Sequence, residues 1–84
     1  MGTQNQVLVE DKIKNIFKKV LDIEPSEINS DAKLNESLGL DSTEMVEISV
    51  VIKKEFNVPI ADNEIKKTHS VNDIVSILKS KGVS

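Results

Sequence analysis

The sequence predicts an all-α fold, and three observations carry that prediction. Apolar residues recur at three- and four-residue steps near both ends of the chain. The stretch from Ser42 to Phe56 contains neither glycine nor proline. Two helix start signals, Asp41 with Glu44 and Ser70 with Asp73, each place an acid three residues after a capping side chain. Four helical segments follow, with a long loop after the first and a short third.

The first segment runs roughly from Asn5 to Leu21. Val9, Ile13, Ile16, Phe17 and Val20 line one face and lysines lie between them. Pro25 prevents a simple continuation. The stretch from Asp22 to Leu40 is long for a helix–helix connection, yet Ile23, Ile28, Leu34, Leu38 and Leu40 offer regular anchors. It reads as an ordered loop laid across the core, with a turn of helix at Ser26 to Ile28. A long ordered loop that ends at a helix start is a common place for function.

The second helix opens at Asp41, whose carboxylate can accept a backbone N–H of the first turn. Val58-Pro59 is expected to stop it. A short third helix is expected over Asp62 to Lys67. The fourth begins after Ser70 and shows an apolar stripe of Val71, Ile74, Val75 and Leu78. Lys79 and Lys81 suit the negative end of its dipole, and Gly82 suits the position just past it.

Composition narrows the function classes. The chain has 84 residues, enough for a single domain over 1–84 with one modest core. It has no cysteine, so disulfides, thiolate metal sites and cysteine nucleophiles are out of reach. A single histidine gives little to a metal site, and no metal is expected. A net charge of -3, no Trp or Tyr and only Phe17 and Phe56 argue against nucleic-acid binding. No apolar run is long enough to cross a membrane, and no signal peptide follows Met1, so a cytoplasmic protein without stable membrane insertion is expected. The lysines of the first helix alternate with its core stripe and read as a solvated face.

A helical wheel separates the Ser42 helix into two sides. Met45, Ile48, Ser49, Ile52 and Phe56 fall on the side assigned to the core. Thr43, Val46, Glu47, Val50 and Lys54 fall opposite. A side that only met water would be polar throughout, whereas this one carries two valines one turn apart beside Glu44 and Glu47. An apolar strip with an acidic border suits docking to a basic partner. The other reading is that another segment of the chain covers the valines, or that they are incidental exposed hydrophobes.

Charge follows the same layout. Between Leu34 and Ile52 the acids are Glu36, Asp41, Glu44 and Glu47, with no Lys or Arg. Lysines flank this region at Lys12, Lys14, Lys18 and Lys19 and at Lys53 and Lys54. Ser42 stands at the first helical position, where a phosphodiester would meet free backbone N–H groups and the positive end of the helix. A serine at a helix start also serves purely structural ends, so position alone leaves both readings open.

Gly39-Leu40-Asp41-Ser42-Thr43, followed by Val46-Glu47-Ile48, resembles the signature of acyl carrier proteins. The similarity extends to the first helix, Ile28 and the long loop, Lys53-Lys54-Glu55-Phe56, Ile60-Ala61-Asp62, and Ser70-Val71 at the start of the last helix. The resemblance implies a four-helix bundle with a long first loop and a short third helix. It further implies that Ser42, in the Asp41-Ser42 pair, receives 4′-phosphopantetheine from a phosphopantetheinyl transferase that uses coenzyme A. Acyl groups would travel as thioesters on the arm's thiol, and the chain itself would be no enzyme. Partner enzymes would be an acyl-loading ligase or transferase, and synthases whose basic patches meet Asp41, Glu44 and Glu47. Thr43, Val46 and Val50 would pack against them, with the carrier acting as a monomer.

Some residues depart from that pattern. Thr43 replaces the usual Leu, Lys53 and Lys54 interrupt the acidic face, and Thr68 and His69 stand where apolar residues are common. They point to a specialised carrier of fatty-acid, modified-lipid or polyketide-type biosynthesis. The alternatives are an aminoacyl or peptidyl carrier, and an unmodified interaction module with the same fold. A hydrolase built on Ser42 and His69 lacks the G-x-S-x-G elbow, and an EF-hand over Asp31 to Asp41 fails because Glu36 replaces the required Gly.

Overall fold

The computed structural model describes the backbone of residues 4–61 and 63–83, and the side chains of these from Val9 onward. Four α-helices form: α1 (Gln4–Leu21), α2 (Leu34–Ser37), α3 (Ser42–Phe56) and α4 (Val71–Ser80). One 3-10 turn stands at Pro25–Glu27, where the loop was expected to coil briefly. There is no strand among the described residues. The all-α architecture matches the sequence expectation.

Helix ends follow from local chemistry. Asp22 closes α1 in the left-handed region at φ 59°, and Asn57 closes α3 at φ 54°. Asn and Asp tolerate that conformation better than other side chains. The stop of α3 therefore sits at Asn57, one residue before the expected Val58-Pro59 break. At α4 the side chain of Ser70 accepts from the backbone N–H of Asp73, and the Asp73 carboxylate accepts in return from the N–H of Ser70 at 3.0 Å. That backbone hydrogen bond holds the Asp73 carboxyl below its ordinary pKa.

The core is built where the apolar stripes meet. Val9, Ile13, Ile16 and Phe17 of α1 are buried, as are Met45, Ile48 and Ile52 of α3 and Val71, Ile74 and Leu78 of α4. Ile28, Leu34, Leu40, Ile60 and Ile65 enter from the connections. Removing each such side chain from water stabilises by about 1.5–3 kcal/mol, which is how the connecting segments are held against the long helices. Helix α1 touches α3, α4 and the 3-10 turn. Ser49 is the polar member of the α3 core face. Its hydroxyl donates to the carbonyl of Val46 at 2.9 Å, so burial leaves no hydroxyl unpaired.

One element lies elsewhere than expected. The segment predicted as the third helix forms turns over residues 63–68, and Asp62 lies outside the described residues. The short helix is α2, inside the long first loop. Tertiary hydrogen bonds account for the exchange. The N–H groups of Leu34 and Asn35 begin α2 and need acceptors. They donate to the carbonyls of His69 at 3.0 Å and Lys67 at 2.8 Å. Lys33 at the cap position makes no side-chain hydrogen bond, so no local capping signal announces α2.

The long loop is fastened at both ends. The Ser30 hydroxyl donates to the Glu10 carboxylate on α1, the largest reason that this carboxyl sits below its ordinary pKa. The Asn72 backbone N–H donates to the Ser30 carbonyl at 3.0 Å, and the Asn72 side-chain amide donates to Asp31. At the other end, Gly39 adopts φ 68°, which an L side chain would resist, and Leu40 turns into the core. The chain is thereby aimed at the start of α3.

Candidate functional site at the start of helix α3

Asp41 caps α3 from an extended conformation, φ -103° and ψ 178°. Its Oδ1 accepts from the N–H of Glu44 at 2.8 Å, and Oε1 of Glu44 accepts from the N–H of Asp41 at 3.1 Å. The expected capping box is therefore complete. Asp41→Ala is expected to cost about 1 kcal/mol through loss of this cap. The corresponding fall in Tm for a domain of this size is about 4–8 °C, measurable by thermal unfolding followed by circular dichroism.

Ser42 occupies the first helical position and is exposed. It stands at the positive end of a 15-residue helix. A phosphate ester there would sit beside backbone N–H groups that have no partner within the helix, which favours negative charge. The bundle core does not enclose this position, as a modification site requires.

The outer side of α3 is open. Val46 is 46% exposed and Val50 is 40% exposed. These values decide against their being covered by another segment of the chain. Thr43 and Glu47 are exposed beside them, Glu44 is half-buried, and Lys54 continues the same row toward the far end. The predicted site residues Asp41, Ser42, Thr43, Glu44, Val46, Glu47 and Val50 thus all lie on one helix, between its cap and its ninth residue.

Sequence reading missed the opposite wall. A groove of about 280 Å³ runs beside the helix start and is lined by Ser42, Met45, Val46, Asn63, Ile65, Lys66, Lys67 and Thr68. Its second wall comes from the segment expected to be helical. Buried Ile65 anchors that wall to the core. The N–H of Lys66 donates to Nδ1 of His69 at 3.0 Å, and the N–H of His69 donates to the carbonyl of Lys66 at 3.0 Å. His69 therefore serves to hold the turn. The one sign available in the sequence was the adjacent Lys66-Lys67 pair after buried Ile65. No cluster of His, Asp and Glu that could hold a metal occurs among the described residues.

An exposed hydroxyl on a capped helix start, a groove at its side and an open apolar strip along the helix are the features a prosthetic-arm carrier needs. Comparison with known proteins supplies the decision. Residues 11–78 match the family model described as "Phosphopantetheine attachment site". The chain belongs to the acyl carrier protein family.

Curated relatives agree in extent. The acyl carrier protein of Bdellovibrio bacteriovorus is 31% identical, over 88% of this chain and 95% of its own length. That of Solidesulfovibrio magneticus is 33% identical, over 87% and 94%. That of Thermotoga maritima is 34% identical, over 83% and 86%. As a member of the acyl carrier protein family, the chain has 4′-phosphopantetheine as its covalent cofactor and is a carrier, not an enzyme. The exposed helix start fits that group, and the absence of cysteine fits a carrier whose thiol belongs to the cofactor. No helix among the described residues is long and apolar enough to cross a membrane.

Proposed function

We propose that Ser42 is the attachment point of the arm and that the chain carries acyl groups on it as thioesters. The observation that carries this reading is the exposed Ser42 hydroxyl on the capped first turn of α3, within Gly39-Leu40-Asp41-Ser42. Asp41 builds the turn on which the phosphodiester rests. The acyl groups are delivered to partner enzymes of fatty-acid, modified-lipid or polyketide-type biosynthesis. Residues 1–84 act as one monomeric carrier domain in the cytoplasm. A phosphopantetheinyl transferase attaches the arm, and an acyl-loading ligase or transferase charges it.

Partner enzymes dock on Thr43, Glu44, Val46, Glu47 and Val50. Two exposed valines bordered by carboxylates suit a partner with an apolar pocket inside a basic rim. The exposed Thr43, Thr68 in the groove wall and Lys54 toward the far end of α3 support a specialised role: the two threonines make the surface around the arm more polar, and Lys54 interrupts the acidic face of the helix.

The reading is tested by intact mass after incubation with coenzyme A and a broad-specificity phosphopantetheinyl transferase. One added phosphopantetheine is expected, and no addition overturns the proposal. Docking is tested on the same reaction. Val46→Asp combined with Val50→Asp is expected to lower kcat/KM for loading by about fivefold or more, the effect of losing a packed interface anchor. Unchanged loading kinetics would remove these valines from the transferase-facing surface.

A further inference from the structure

We propose that Lys66 and Lys67 form, with the first turn of α3, a two-sided cradle for the phosphodiester that joins the arm to Ser42. The arm then rests along the groove for part of the time instead of projecting freely. This rests on the assignment of Ser42 as the attachment point.

Both lysines line the same groove as Ser42. Neither makes an ion pair among the described residues, where the paired lysines are Lys14, Lys18, Lys19 and Lys81. The nearby acids Asp41 and Glu44 are already committed to the capping box. The wall that carries the lysines is held in place from several sides. Ile65 is buried, the Lys67 carbonyl accepts from Asn35, and Lys66 and His69 bond to each other. Beside them, Lys81 holds Glu64 at 2.9 Å, and that contact is the main reason the Glu64 carboxyl lies below its ordinary pKa. Two lysines without an ion-pair partner among the described residues therefore line the same groove as the Ser42 hydroxyl.

A phosphodiester on Ser42 brings a fixed negative charge to that place. It meets the unpaired N–H groups of the helix start on one side and the two ammonium groups on the other. Tethering makes the encounter intramolecular, so even weak exposed ion pairs are populated. The groove floor, Met45, Val46 and Ile65, is apolar and suits the methyl-bearing part of the arm next to the phosphate. The cradle thus restrains the root of the arm and leaves the thiol end to move.

The test uses the loaded protein, with loading established by intact mass. Arm order is read from the ³¹P relaxation of the phosphodiester and from nuclear Overhauser effects between the arm's methyl protons and Ile65. Lys66→Gln combined with Lys67→Gln is expected to lower the Overhauser intensity about twofold to fivefold and to speed ³¹P motion, as loss of exposed ion pairs should. Sodium chloride at 1 M should reproduce the change in the unsubstituted protein, because the screening length falls to about 3 Å. Lys53→Gln combined with Lys54→Gln makes the same charge change at the far end of α3 and should leave the arm as it was. Equal arm order with and without Lys66 and Lys67 overturns the cradle while the mass increment keeps the carrier assignment. Absence of the increment overturns both.

Discussion

Ser42→Ala is expected to abolish loading completely while leaving the protein folded. The reason lies in the division of labour at the helix start. Folding of α3 depends on the Asp41 and Glu44 pair, whose two hydrogen bonds use no atom of the Ser42 side chain. Ser42 is exposed, so removing its hydroxyl creates no cavity and leaves no buried group unpaired. Alanine is also a better helix former than serine, by a few tenths of a kcal/mol. Circular dichroism and Tm should therefore stay within experimental scatter of the parent. The mass increment, in contrast, should fall to zero, because no other oxygen can occupy that point on the first turn. Retention of the increment in Ser42→Ala would place the arm on another residue. Ser42→Thr supplies the intermediate case: it keeps a hydroxyl at the same position and adds a methyl group, so slower loading is expected.

Phe17→Ala is expected to unfold much of the population at physiological temperature. Phe17 is fully buried, the largest such side chain among the described residues, and α1 packs on both α3 and α4. Truncating a buried phenylalanine costs about 3–5 kcal/mol, from lost transfer energy and the cavity left behind. A domain of this length has a total stability of about 4–13 kcal/mol, so that loss is a large part of it. The expected fall in Tm is on the order of 20 °C. Val50→Ala makes the comparison, since Val50 lies on the open side of α3, and its stability effect should stay within about 0.5 kcal/mol. A small Tm change in Phe17→Ala would mean that the apolar stripe of α1 is not what holds the bundle. The two variants also separate function from fold. Ser42→Ala keeps the fold without the cofactor, whereas Phe17→Ala threatens the helix start only by loosening what holds α3 in place.

The residues that were legible in the sequence share one property. Their signals lie within a few positions of one another. The Asp41–Glu44 and Ser70–Asp73 boxes are three-residue relationships, and the stripes of α1 and α4 repeat every three or four residues. A helix forms each of these contacts by itself, so the boundaries of α3 and α4 and the place of Ser42 could be read directly. Even Ser49, polar in an otherwise apolar face, was assigned correctly to the core, because its hydroxyl is satisfied by a carbonyl of the same helix. The docking residues were legible as candidates for the same reason, since a wheel places Thr43, Val46, Glu47 and Val50 together.

The short elements were not legible in that way. The choice between a helix at 62–67 and one at Leu34–Ser37 turns on hydrogen bonds from Leu34 and Asn35 to the carbonyls of His69 and Lys67, partners far apart in the chain. Neither segment has enough length to make a helix stable alone, so the tertiary partners decide. Whether Val46 and Val50 stay open was likewise undecided until the rest of the bundle was in place. The groove beside Ser42, and with it the position of Lys66 and Lys67, depends on a wall anchored in the core by buried Ile65. By itself, the sequence determined the three long helices, the cap and the serine it presents, since each rests on contacts within a turn or two. Tertiary structure alone decided which short segment coils, which apolar residues remain uncovered and which charges stand beside that serine, because these depend on backbone groups and side chains that meet only when the chain is folded.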